Sequence, residues 1–312
     1  MKIVFLDAKT IGDDIDLSAF EKLGEVVTYN FSTTEEALER TVDADVIVLN
    51  KVEINEHSIG KAKKLKLVCV TATGTNNLDK NYLDKRGIEW RNAAGYSTTI
   101  VAQHTFAMLF YLLEKLRYYD DYVKNGSYQK NDVFTWFGEP FTELAGKIWG
   151  IIGLGAIGRK VADIAKAFGV HVIYYSASGR PLQEGYEQVD LDTLLRTSDV
   201  ISVHAPLNEY TENLMDKAAF AKMKKDAIFL NLGRGPIVVE EDLAEALKQG
   251  TIAAAGLDVL RTEPIQPDNP LLAIKDSHKL LITPHIAWAS TEARTRLMQI
   301  VLDHVKGFAE RR

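Results

Sequence analysis

Lys147-Ile-Trp-Gly-Ile-Ile-Gly153-Leu-Gly155-Ala-Ile-Gly158 is a short apolar run that passes directly into G-x-G-x-x-G and then into a helical pattern over 156–168. Alone such a pattern is weak; between a strand and a helix, inside a βαβ unit, it marks a dinucleotide site. Gly153 permits the tight turn, Gly155 lets backbone N–H groups approach a pyrophosphate, and Gly158 lets helix and strand pack closely. The helix N-terminus then adds partial positive charge toward the phosphates. The next strand, 171–175, ends about 20 positions on, where an acidic residue would bind the adenosine ribose. Ser176 stands there instead, followed by Ala177-Ser178-Gly179-Arg180. No carboxylate repels a 2′-phosphate, and Ser176, Ser178 and Arg180 can all donate to one. NADP is therefore expected to be accepted, even preferred; the plainer alternative is a polar loop that takes either NAD or NADP.

Outward from this motif, β-branched runs alternate with amphipathic stretches along almost the whole chain, the pattern of parallel sheets built from βαβ units. Ahead of it, strands are expected at 2–6, 45–49, 67–70 and 88–91, with helices at 34–41 and 78–85. A single long helical pattern follows over 98–124, and then a looser aromatic segment over 128–141. Behind the motif, strands are expected at 199–203, 227–231, 252–257 and 279–282, with helices at 191–197, 216–223, 240–248 and from about 291. The Pro-containing stretch 261–279 reads as an ordered loop. Two α/β blocks result, and the second holds the fingerprint.

Composition narrows the class. The 312 residues are 46% hydrophobic and 26% charged, as in ordinary globular proteins, and the length suits two domains of about 150 residues. The longest apolar stretch, Phe106–Leu113, falls short of the ~18 residues a membrane span needs. Lys2–Leu6 reads as a strand rather than a secretory leader. One cysteine, Cys69, excludes an intrachain disulfide and fits a reducing compartment, so a cytoplasmic location is expected. The net charge is −6, and the most basic run, Lys61–Lys66, reads as the solvated face of a short helix. Neither nucleic acid nor membrane is an expected partner.

Hydride transfer between a nicotinamide and a carbonyl requires a proton donor for the oxygen, and an acidic substrate requires a cation as well. Three residues at or after late strands fit. Arg234, between two glycines in Asn231-Leu-Gly-Arg-Gly-Pro-Ile, can grip a carboxylate through two parallel hydrogen bonds. Glu263 lies in the Pro-containing loop, and His285 follows Pro284 at the end of the last strand. A Glu beside a His sets the ring tautomer and favours the imidazolium, which can then donate. Ligands collect at the carboxyl ends of parallel strands, so placement on successive loops of one sheet edge strengthens each assignment. His57, His104, His171, His278 and His304 lack metal-ligand spacing and read as structural, so no metal is expected.

These stretches resemble the D-isomer-specific 2-hydroxyacid dehydrogenases. The resemblance rests on Gly153–Gly158, His204-Ala-Pro-Leu, Asn231–Glu240, Gly256-Leu-Asp-Val259, Glu263-Pro264 and Pro284-His285, in family order across nearly the whole chain. It implies two doubly wound parallel-sheet α/β domains: a Rossmann cofactor domain, 98–285, inserted in a flavodoxin-like catalytic domain made of 1–97 and 286–312. It implies that Arg234 binds substrate, His285 is the acid/base and Glu263 its partner. Asp258 would face the nicotinamide carboxamide and Pro206 the adenosine side. Ala156, Ile157, His204, Leu232, Gly233 and Trp288 would complete the cofactor site. The loop Thr73-Gly74-Thr75-Asn76-Asn77 would cup the substrate carboxylate with its N–H groups. Asn50 and Lys51, ending an early strand, are candidates to reach a substrate hydroxyl. Ser176 departs from the family's usual Asp and puts strict NAD use in doubt.

Within the family, Ala72–Asn77, Gly95–Thr98, Val101–His104 and His285–Trp288 are most similar to glycerate dehydrogenases, also called hydroxypyruvate reductases. That implies reduction of hydroxypyruvate or glyoxylate to D-glycerate or glycolate. Trp288 and Trp136 either narrow the pocket toward small acids or are packed interior. Tyr118, Tyr119, Tyr122 and Tyr128 could be core, whereas the resemblance implies that the long helix and its arm pair with a second copy as a homodimer. Two alternatives stand beside this. One is a dehydrogenase of a bulkier 2-oxo acid, phenylpyruvate or a branched-chain analogue. The other is an NAD(H)-sensing, corepressor-like binding protein of the same fold, whose relatives retain the Arg/Glu/His set; the short tail after the closing helix favours the enzyme and disfavours 3-phosphoglycerate as substrate.

Overall fold

A computed structural model describes residues 1–178 and 185–311. The chain divides into two compact units, Met1–Ser97 with Ala289–Arg312, and Thr98–Trp288. The second crossing falls after Trp288 rather than after His285. The N–H groups of Ile286 and Ala287 are bonded to Asp258, which keeps these residues in the second unit.

The first unit contains β1 (Lys2–Phe5), β2 (Glu25–Thr28), α1 (Thr34–Arg40), β3 (Val46–Leu49), α2 (Glu56–Ile59), β4 (Leu67–Val70), α3 (Lys80–Lys85) and β5 (Glu89–Asn92). Its strands pair in parallel in the order β2-β1-β3-β4-β5, the flavodoxin-like order. β3 and β4 are buried at every position, as their unbroken apolar sequence requires in a sheet covered on both faces. β2 was not expected from the pattern: Glu25-Val-Val-Thr is a half-exposed edge strand. Residues 61–66 form a turn, not the expected short helix. Arg86 bonds the carbonyls of Ile59 and Ala62, which a continuing helix would need, while Ala62 and Leu65 are buried and the lysines exposed.

The second unit opens with α4 (Thr98–Leu113) and α5 (Leu116–Lys124). The expected single helix is thus two, separated at Lys115, which takes a left-handed conformation (φ 55°). α4 packs on the sheet and on the next long helix, whereas no residue of α5 is buried, so the chain bends where its burial ends. There follow β6 (Ile148–Ile152), α6 (Ala156–Ala167), β7 (His171–Tyr175), β8 (Glu187–Gln188), α7 (Leu191–Thr197), β9 (Val200–Val203), α8 (Lys217–Lys222), β10 (Ile228–Asn231), α9 (Glu240–Gln249), β11 (Ala254–Leu257) and β12 (Leu280–Ile282). The parallel order β8-β7-β6-β9-β10-β11-β12 is the Rossmann order with one strand added. The fully buried Trp149 of β6 donates its indole N–H to Ser202 Oγ of β9 (2.9 Å) and packs on Phe106 of α4 (5.0 Å between centroids). Its polar edge is thereby satisfied inside the core.

The C-terminal α10 (Thr291–Glu310), capped by Ser290, belongs to the first unit and packs on β4. Arg296 bonds the Tyr96 carbonyl (3.1 Å from Nη2), next to the point where the chain leaves this unit. Arg294 bonds the Ala289 carbonyl (3.0 Å from Nε), where the chain returns, and also the Ile11 carbonyl and Asp14.

Candidate active site

The residues singled out in the second unit stand in one row along the carboxyl edge of its sheet. Following the strand order, His285 comes after β12, Asp258 after β11, Arg234 after β10, His204 after β9, Gly153–Gly158 after β6 and Ser176 after β7. At about 4.8 Å between strands, the row from β12 to β7 spans about 24 Å, suited to an extended dinucleotide. The strand order reverses between β6 and β9, where such ligands bind in open α/β sheets.

At this reversal Gly153 has φ +93°, and a Cβ there would lie 2.7 Å from the Ala205 backbone, so only glycine brings the turn against the segment after β9. Gly155 precedes α6 without a side-chain cap, and a Cβ on it would meet nothing within 4 Å. The first N–H groups of α6 thus have no side-chain cap beside open space at Gly155, while Gly158 is buried, a Cβ there falling 2.3 Å from the Gly153 carbonyl. That arrangement fits a pyrophosphate. Ser176 is buried and its Oγ lies 3.2 Å from Ser178 Oγ; Arg180 lies outside the described residues. His204 accepts from or donates to Ser202 Oγ through Nε2 (3.1 Å), and its buried Nδ1 has no partner among the described residues. Burial pushes this imidazole down to about 3, so the ring is neutral. The Pro206 carbonyl accepts from Thr211 Oγ1 (2.7 Å), and Leu232 is buried.

Arg234 is placed by its own loop. Asn231, fully buried at the end of β10, accepts from Gly233 N (3.0 Å) and donates to the Arg234 carbonyl (3.0 Å). A side chain on Gly235 would overlap the Leu260 carbonyl, so glycine lets this loop press against the one after β11. The guanidinium uses Nη1 on the Gly233 carbonyl (2.9 Å); its other N–H groups bond nothing among the described residues.

Glu263 divides its carboxylate: Oε1 accepts from Leu260 N (3.0 Å) and Oε2 meets His285 Nδ1 at 2.6 Å. An ionised carboxylate only accepts, so Nδ1 carries the hydrogen and Nε2 is left to exchange a proton. Nε2 bonds nothing among the described residues, and the ring is 24% exposed. His285 is itself left-handed (φ 54°), a conformation non-glycine residues rarely keep without support. Support comes from the Asp258 and Thr283 carbonyls, which both accept its N–H (2.8 and 2.9 Å). The Asp258 carboxylate, 1% exposed, accepts from Thr283 Oγ1 (2.7 Å), Ile286 N (2.9 Å) and Ala287 N (2.9 Å).

The chain belongs to the D-isomer-specific 2-hydroxyacid dehydrogenases. The profile of the "D-isomer specific 2-hydroxyacid dehydrogenase, NAD binding domain" matches residues 106–287. A hydroxypyruvate reductase of Blautia hydrogenotrophica is 40% identical over 314 residues, spanning 99% of this chain and 97% of that one. Among solved structures, an acyclic imino acid reductase (Bsp5) in complex with NADPH and D-Arg has a TM-score of 0.88 at 31% identity, covering 100% of this chain and 98% of the other. D-Lactate dehydrogenase from Aquifex aeolicus, complexed with NAD and lactic acid, has a TM-score of 0.85 at 27% identity, covering 99% and 95%. The protein is thus a nicotinamide-dependent oxidoreductase acting on a CH–OH group.

Some supporting residues of this dehydrogenase were not legible in the sequence. His104 of α4, expected to be structural only, meets Thr283 Oγ1 through Nε2 (3.1 Å) and joins the Asp258 cluster. Glu240, buried at the start of α9, accepts from Arg261 N and Asn269 Nδ2 (2.7 Å each) and holds the loop that carries Glu263. Trp288 packs, partly buried, on the core layer containing Trp149. Trp136 is neither interior nor among these side chains; it stacks on Tyr122 (4.9 Å, 6°) and donates to Tyr118 OH (3.0 Å).

In the first unit, Asn50 and Lys51 follow β3, and the Thr73–Asn77 loop follows β4, at the carboxyl edge of that sheet. The N–H groups of Thr73, Gly74, Thr75 and Asn76 donate to nothing among the described residues. No helix of the described residues is long and apolar enough to cross a membrane.

Proposed function

We propose that this dehydrogenase reduces hydroxypyruvate or glyoxylate to D-glycerate or glycolate, with His285 as the general acid. The observation that carries the reading is the Glu263–His285 pair, held at 2.6 Å on Nδ1 with Nε2 left open on a braced, left-handed residue. When bound, the dinucleotide supplies or accepts the hydride. His285 Nε2 gives its proton to the carbonyl oxygen as the ketone becomes an alcohol, and takes it back in the reverse direction. Glu263 keeps the ring oriented and offsets the imidazolium charge. Arg234, with most of its guanidinium unused, grips the carboxylate. The similarity to a hydroxypyruvate reductase supports a small hydroxylated acid.

NADP is accepted alongside NAD in this reading, because Ser176 and Ser178 present hydroxyls where an acidic side chain would repel a 2′-phosphate. A homodimer through the second unit is proposed as well. Phe134 and Phe137 are 90% and 87% exposed, beside Val133 and Phe141, on an arm braced by stacked tyrosines. Large apolar side chains this exposed along one short segment call for a covering partner. The lone, buried Cys69 fits a cytoplasmic setting.

One panel tests the whole reading: hydroxypyruvate, glyoxylate, pyruvate and phenylpyruvate, each with NADH and NADPH, compared by kcat/KM. His285→Ala should lower turnover by about 10²–10⁴ with cofactor affinity retained, as loss of a general acid implies. Near-normal turnover would remove the role, and a preference for phenylpyruvate would remove the small-acid assignment.

A further inference from the structure

The turn that carries His285 is tied to the end of β11 by backbone bonds and by one buried carboxylate. Thr283 N donates to the Leu257 carbonyl (2.9 Å) and His285 N to the Asp258 carbonyl (2.8 Å). The Asp258 side chain takes the next two N–H groups, Ile286 on Oδ1 and Ala287 on Oδ2. This carboxylate is 1% exposed, and among the described residues no lysine or arginine pairs with it. Its ionisable neighbour is His104 of α4, whose Nε2 stands 3.7 Å from Oδ1.

The hydrogens between these three side chains can be counted. Thr283 Oγ1 has one hydrogen and gives it to Asp258 Oδ1 (2.7 Å). The 3.1 Å contact between Thr283 Oγ1 and His104 Nε2 is then filled by the imidazole hydrogen, because a hydroxyl that has spent its hydrogen can only accept. The result is a directed chain from His104 Nε2–H through the Thr283 hydroxyl to the Asp258 carboxylate, in which each bond polarises the next. It begins on α4 and ends on the two residues after His285. Around His104, α4 buries Val101, Ala102, Thr105 and Met108, where packing alone would be met by another apolar side chain.

We propose that His104 is a positioning residue for the general acid: through Thr283 it fixes the Asp258 carboxylate, and through Asp258 the turn that aims His285 Nε2. All four residues belong to the second unit. The inference rests on the reading of His285 as the acid. A left-handed histidine (φ 54°) keeps its conformation only where its surroundings hold it, and the carboxylate that braces 286 and 287 is the group His104 orients.

The test uses the full-length protein with hydroxypyruvate and NADH. His104→Leu and Thr283→Val should each lower kcat about tenfold, the size of one hydrogen bond felt only in the transition state. KM for hydroxypyruvate and Kd for NADH should stay within about twofold. The double variant should fall little below either single one, since both break the same chain. His104→Gln places an amide N–H where Nε2 stands and should recover to within about threefold of the parent. Added to His285→Ala, His104→Leu should lower the residual turnover no further, because the turn it aims then carries no acid. A loss that His104→Gln does not restore, or that persists in full on the His285→Ala background, would make the histidine merely structural and overturn the proposal. Parent kcat in His104→Leu would overturn it too. If His104→Leu does not fold, Thr283→Val against Thr283→Ser, which keeps the hydroxyl, decides alone. Near-normal turnover in His285→Ala would remove the acid assignment itself, whereas a crippled His285→Ala beside an unimpaired His104→Leu would remove the positioning role alone.

Discussion

Glu263→Gln removes one charge and almost no volume from the proposed catalytic pair. The carboxylate serves two donors, Leu260 N at 3.0 Å and His285 Nδ1 at 2.6 Å, through separate oxygens. A glutamine has one oxygen for the two, so either the loop N–H or the imidazole meets an NH2 group. In the second arrangement the ring must turn over its tautomer, and Nε2 carries the hydrogen without a counter-charge across the ring. A hydrogen bond to a charged partner contributes about 1.5–3 kcal/mol, which converts to about 10- to 150-fold in rate if it is lost only as the ring charges. The histidine is 24% exposed and the glutamate 29%, so water screens part of the charge and the lower half of that range is expected. Stopped-flow and steady-state oxidation of NADH by hydroxypyruvate give kcat, and fluorescence quenching gives the NADH Kd. The expected result is a fall confined to kcat with Kd held. A kcat within about twofold of the parent, in a variant of unchanged Tm, would refute the pairing as a catalytic device.

Two other perturbations address the neutral histidine and the exposed arm. His204 lies below its ordinary value, at about 3, so the unfolded chain binds the extra proton as pH falls. Stability should then be indifferent to this group above about pH 6.5 and decline below it, by at most about 1.4 kcal/mol per pH unit down to about pH 3. Urea unfolding across pH 4–8 should show a shallower decline for His204→Asn, and an identical slope in parent and variant would exclude the assignment. Replacing Phe134 and Phe137 together with serine should halve the mass seen by light scattering at micromolar concentration with little change in Tm; a parent protein that is already monomeric there would defeat the dimer.

The dinucleotide turn and the strand–helix rhythm were legible because each is written in contiguous residue types, whereas Arg234, Glu263 and His285 stood out only through their joint placement on loops after late strands and through the family resemblance. β2 was not, since Glu25-Val-Val-Thr is too short and too exposed to show a burial period. The break at Lys115 was invisible for a different reason: neither glycine nor proline marks it, and only the loss of a surface to pack on ends α4. The supporting polar residues were the least readable. His104 meets Thr283 across 179 positions, so no local spacing encodes its partner. Glu240 was visible within a matching stretch, but its hold on the Arg261 loop is a tertiary fact.

The grip of one helix on two distant carbonyls has an engineering consequence. Arg294 and Arg296 bond Ala289 and Tyr96, so the points where the chain departs from the five-stranded sheet and rejoins it lie within reach of side chains two positions apart. Splicing Ser97 to Ala289 through a few flexible residues should give a miniature protein that retains all five strands and their closing helix. Residues 98–288 would then be free to serve as a cassette, exchangeable between hosts at a single genetic seam.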